Sequence, residues 1–79
     1  MAQNVLKFDY SKLCGRIVEK CKTQSVFSEK MGKSEHTISL KLNNKVQWTQ
    51  GEILKASDIL DIPVNEISSY FFYQLTSNL

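Results

Sequence analysis

The sequence predicts an all-α fold, a bundle of five short helices that contains a helix-turn-helix and carries an aromatic C-terminal extension. Three observations predict it. Apolar residues recur at i, i+3, i+4 and i+7 from Tyr10 onward, the period of an amphipathic helix. Most later apolar runs follow a Ser or Thr placed as a helix N-cap. A length of 79 residues with only 3 Gly and 1 Pro leaves room for one small domain and excludes collagen-like or linker-like chains. A chain this short buries only about 60% of its unfolded surface, so it has little stability to spare. Residues 1–8 (MAQNVLKF) show no cap and no period and are expected to form a leader. Residues 9–70 are expected to form the helix-turn-helix domain, and residues 71–79 the extension.

In the first helix, Tyr10, Leu13, Cys14, Ile17, Val18 and Cys21 form one apolar stripe. Asp9 precedes it as N-cap, and Phe8 is placed to pack on Leu13 as a hydrophobic staple. Cys14 and Cys21 lie about 10.5 Å apart along such a helix, too far to bridge. Both are expected to be reduced core fillers of a cytoplasmic protein. The second helix opens at Thr23 and stops at Gly32, with Phe27 and Met31 as core anchors. It spans barely two turns and cannot persist unpacked. After Gly32 and Lys33, Ser34 caps a third helix over about residues 35–43, and Asn44 terminates it in the left-handed region. At 100° per residue, Ile38 and Leu42 point inward, while His36, Ser39, Leu40 and Asn43 gather on the other side.

Thr49-Gln50-Gly51-Glu52 has the spacing of a capping box, with Trp48 and Ile53 as a second staple. The fourth helix runs through Ile53, Ala56, Ile59 and Leu60 to about Asp61. Pro63 suits the start of a last helix over about residues 64–70, with Ile67 inward. The tail from Tyr70 reads equally as a packed extension or a short strand. Its aromatic run, Tyr70 to Tyr73, offers either a self-association patch for a homodimer or a cap on the core.

The chemistry of catalysis is absent from the pattern. There is no phosphate loop, no metal-ligand spacing and no nucleophile elbow. His36 is the single imidazole. The chain is therefore expected to be no enzyme and to need no cofactor or metal. No signal peptide and no apolar run of membrane-spanning length appear, so no membrane partner is expected.

The charge is +2 overall but uneven. Residues 1–50 hold nine Lys/Arg against four Asp/Glu (9 − 4 = +5), and residues 51–79 one against four (1 − 4 = −3). This suggests a face for a polyanion and another turned away from it. The second helix of a helix-turn-helix lies in the DNA major groove. Its expected base-reading residues here are Glu35, His36, Ser39, Leu40 and Asn43. Ser39 and Asn43 match base edges, and Leu40 matches a thymine methyl. Glu35 either favours the helix dipole or accepts from a cytosine amino group. Phosphate contacts are expected from Gln24, Lys33, Ser34, Lys41 and Lys45.

The run TQSVFSEKMGKSEHTISLKLNNKV resembles the helix-turn-helix of Cro/CI-type phage repressors, the lambda-repressor-like family. Thr23, Gln24, Phe27, Gly32, Ser34, Ile38, Ser39, Leu42, Asn43 and Lys45 stand at family positions. Ser28 replaces the common Ala, Asn44 the usual Gly, and Lys41 an often apolar residue. The resemblance covers roughly residues 9–70. DYSKL, SLKLNNKV and SYFF are closer still to small phage proteins that include Cro-like repressors and modulator-of-repression (MOR) proteins.

The resemblance implies a phage or prophage regulator in the cytoplasm of a bacterial host. The leading expectation is a sequence-specific transcriptional repressor whose third helix enters double-stranded operator DNA. The alternative is a modulator of repression that forms a heteromeric complex with a phage repressor through the helix-turn-helix surface. Leu40 and the modest net charge favour the latter.

Overall fold

The computed structural model describes residues 7–74 and shows five α-helices: α1 (Ser11–Cys21), α2 (Gln24–Met31), α3 (Glu35–Leu42), α4 (Gln50–Ile59) and α5 (Ile67–Phe71). A 3-10 turn, Val64–Glu66, leads into α5 after Pro63. Among the described residues the only extended pairing is one antiparallel bridge between Phe8 and Gln74. Of the tail expected as a packed extension or a short strand, Tyr70 and Phe71 finish α5 and pack into the core, and Gln74 makes only that single bridge; residues 75–79 lie outside the described residues. α2, the three-residue turn 32–34 and α3 make the helix-turn-helix.

Local signals explain most boundaries. The side chains of Thr23 and Ser34 accept from the N–H groups of Val26 and Thr37 and so cap α2 and α3. Gly32 (φ 72°) ends α2 in the left-handed region and donates its N–H to Glu29 and Ser28. Asn44 (φ 62°) takes the same region after α3, as Asn does more readily than other side chains. Both halves of the Thr49/Glu52 capping box are formed at α4.

Asp9 sits one residue before the N-cap position of α1, which is Tyr10. Its Oδ1 still accepts from Ser11, 2.9 Å from the backbone nitrogen and 2.6 Å from the hydroxyl. The hydroxyl bond and then the backbone bond hold the Asp9 carboxyl below its ordinary range.

One core joins the helices. Leu13, Phe27, Ile38, Ala56, Leu60 and Phe71 are its most enclosed side chains, with Ile17, Met31, Tyr10 and Tyr70 around them. The stripe on α1 is narrower than its periodicity predicts. Val18 is 59% exposed, and Cys14 is exposed rather than a core filler. Each stands one 100° step away from a buried residue (Ile17 and Leu13), and α1 meets neighbours, chiefly α2 and α5, along a single line. Partial burial, with the Asp9 charge adding to it, pushes the Cys14 thiol up.

Arg16 carries a role that periodicity did not reveal. Its Nε and one terminal nitrogen donate to the carbonyls of Leu60 and Asp61, each at 2.8 Å. These carbonyls close α4, where orphan acceptors collect. Lys20 pairs with Asp61 at 3.3 Å beside them. Arg16→Met should cost about 1–3 kcal/mol, because two charge-assisted bonds go unmade. A urea titration of the variant would measure it, and an unchanged midpoint would refute the assignment.

Candidate macromolecular interface

α3 is held from below by Ile38, which is fully buried, and by the partly buried Leu42. Its main neighbour is α2, so the opposite side is open. His36 and Asn43 are exposed there, Ser39 and Leu40 are half-buried, and Glu35 is exposed in the first turn. Leu40 is not among the partly buried apolar residues packed on the core. Ser39 and Asn43 are joined: the Asn43 amide donates to the Ser39 carbonyl at 2.8 Å and lies 3.4 Å from its hydroxyl. That bond fixes the Asn43 side chain along the helix and leaves its Oδ1 as the free acceptor.

The residues expected on phosphates divide. Lys45 is exposed at the end of α3, and Gln24 is half-buried at the start of α2. The Ser34 hydroxyl is engaged locally, accepting from the Thr37 N–H and donating to the Thr37 hydroxyl at 2.9 Å. Lys33 reaches Glu52 at 3.4 Å while keeping an exposed side chain.

Lys41 corrects the expectation of a phosphate contact, because it is turned inward. Only 5% of it is exposed. Its Nζ lies 2.9 Å from Glu52 Oε1 and 3.0 Å from the Gln47 carbonyl. Lys41 stands about 60° round the helix from Ile38, on the anchored side, so an ammonium there must find a partner within the chain. Glu52 supplies it. Burial alone would raise the Glu52 carboxyl. The Thr49 N–H bond, the Lys41 ammonium and Lys33 outweigh that and push it down to about 2. With Glu52 counted, Lys30, Lys33, Lys41 and Lys45 face Glu35 and Glu52 (4 − 2 = +2), a weaker cationic field than the sequence segment alone suggests.

Beside the end of α3 lies a groove of about 550 Å³ lined by Phe8, Tyr10, Val46, Trp48 and Phe72 among others. Phe8, expected in the leader, is fixed there by Asn44. The Asn44 Oδ1 accepts from the Phe8 N–H and its Nδ2 donates to the Phe8 carbonyl, both at 2.9 Å. The Asp9 N–H donates to the Tyr73 carbonyl at 2.8 Å. Phe8 also meets Phe72 edge-on, with ring centroids 6.0 Å apart. Asn44→Ala loses both clamp bonds and leaves in the left-handed region a residue without the amide that makes Asn tolerable there. We expect it to lower stability by about 1–2 kcal/mol, and to speed amide exchange at Phe8 and Asp9 more than in α1. Of the aromatic run, Tyr70 and Phe71 are buried in the core, while Phe72 and Tyr73 are exposed.

Among the described residues no cluster of three potential metal ligands forms, and no helix is long and apolar enough to cross a membrane. What the geometry defines is a helix-turn-helix domain with one side of α3 left open. The chain belongs to the family described as "Protein of unknown function (DUF739)", whose model matches residues 6–74. It is similar to the modulator of repression (MOR) of the temperate bacteriophage TP901-1 from Lactococcus lactis, known as a solution structure. The two share 54% identity over 82% of this chain and 88% of that one, with a TM-score of 0.74. No functionally curated protein is significantly similar to the chain.

Proposed function

We propose that this chain is a modulator of repression of a temperate phage, which captures a partner repressor on the open face of α3. It acts without catalysis or cofactor, in the cytoplasm of the bacterial host. The observation that carries this reading is the 54% identity to a phage modulator of repression over 82% of this chain and 88% of that one. The local chemistry supports it. Two of the lysines expected on DNA phosphates are engaged by Glu52, and a DNA-binding face depends on free cations. Leu40 contributes partly exposed apolar surface between His36 and Asn43, which suits a protein partner.

The test is sedimentation velocity of the chain with the repressor of the phage that encodes it. A stable heteromeric complex is expected, and Leu40→Asp should abolish it by placing a charge in its centre. Mobility shifts with the chain alone should show only weak, salt-sensitive DNA binding. A tight operator shift by the chain alone, with no complex formed, would replace this reading by the operator-binding one. The exposed His36, Asn43 and Lys45 are the residues that favour that second reading.

A further inference from the structure

α3 is eight residues long, too short to hold its own shape or orientation. Beneath it lie one fully buried apolar residue, Ile38, and the partly buried Leu42. Apolar contact turns that side of α3 toward the core, but it is not directional and leaves the finer rotation about the axis loosely set. The polar contacts fix it. The Glu52 carboxylate receives Lys41 from the last turn of α3, Lys33 from the preceding turn, and the Thr49 N–H from the start of α4, at 2.9, 3.4 and 2.8 Å. The Lys41 ammonium spends a second donor on the Gln47 carbonyl in the α3–α4 connection. Three segments therefore converge on one carboxylate that is itself fixed by the capping box.

A buried ion pair adds little net stability over apolar residues of similar size, and its directional bonds are what distinguish it from them. We propose that Lys41 and Glu52 are positioning residues which set the rotation of α3, and through it the presentation of His36, Leu40 and Asn43 to the partner. The proposal rests on the reading of the α3 face as the repressor-binding surface.

The decisive variant is the double substitution Lys41→Met with Glu52→Gln, which removes both charges, fills the lysine stem's space and keeps an acceptor for Thr49. Its urea midpoint should match the parent's. Amide hydrogen exchange in α3 should quicken at least tenfold while that of Leu13 and Ile17 in α1 stays unchanged. Affinity for the phage repressor should fall at least tenfold. Unchanged exchange in α3 overturns the proposal, and so does faster exchange with full affinity. If the double variant does not fold, Lys41→Met alone, which leaves the capping box intact, is read by the same two measurements. A parent chain that fails to bind the repressor at all defeats the functional reading instead, and the exchange comparison still decides whether the pair orients α3.

Discussion

Phe27→Ala should cost about 3–5 kcal/mol and leave much of the chain unfolded at 37 °C. Phe27 is completely enclosed in the middle of α2, which touches α1, α3 and α4. Truncating it forfeits the transfer energy of a phenyl ring and opens a cavity where three helices meet. A domain of this size holds only about 4–12 kcal/mol in total, so one side chain decides whether it folds. Val18→Ala supplies the contrast. Sequence periodicity gives Val18 the same standing as Ile17, but its exposure predicts a loss within about 0.5 kcal/mol. Urea unfolding followed by far-ultraviolet circular dichroism would measure both. Equal losses at the two positions would refute the packing described for α1 and α2.

The second large effect is on acid stability. The Glu52 carboxyl is held at about 2 in the folded chain against an ordinary value of 4.5. A carboxyl depressed on folding stabilises the native state fully above its unfolded value, and that contribution disappears as pH falls through the folded value. Stability should therefore decline between about pH 4.5 and 2. The loss from this one group is about 2 kcal/mol, below what the full displacement implies because solvent reaches one side of the site. Glu52→Gln should already be destabilised at pH 7, since the buried Lys41 ammonium then faces a neutral amide. The gap between parent and variant should close as the pH approaches 2. Urea midpoints at pH 7, 4.5, 3 and 2 test this, and a gap that stays constant with pH would contradict the role given to the carboxylate.

Where the chain signals its structure locally, the sequence is readable. Thr23, Ser34, Gly32 and Thr49 act within three or four residues of themselves, and each bounds a helix as its chemistry predicts. Asn44 was legible as a left-handed terminator. Its grip on Phe8 was not, because that bond spans 36 residues and has no periodicity. The bonds of Arg16 to the end of α4 have no local signal for the same reason, spanning 44 and 45 residues.

The open side of α3 is half legible. The helical wheel of α3 turns His36 and Asn43 outward, where they are exposed, and Leu40 with them, which is half-buried; the charge of Lys41 points to solvent while its angle points inward. Its position between Ile38 and Leu42, where related helices often carry an apolar residue, was the available signal. Val18 and Cys14 misled in the opposite direction: polarity showed which residues were able to be buried, and only the number of neighbouring helices determined which of them were.

The bridge between Phe8 and Gln74 brings the incoming and outgoing stretches of the described body to one spot, alongside Asn44 and thus next to the end of α3. A fluorophore or affinity handle fused just ahead of Phe8 would occupy much the same neighbourhood as one fused just past Gln74. Moving it from the one position to the other would leave it beside Asn44, whereas attachment at exposed Cys14 or Val18 places it on the side of α1 turned away from the core.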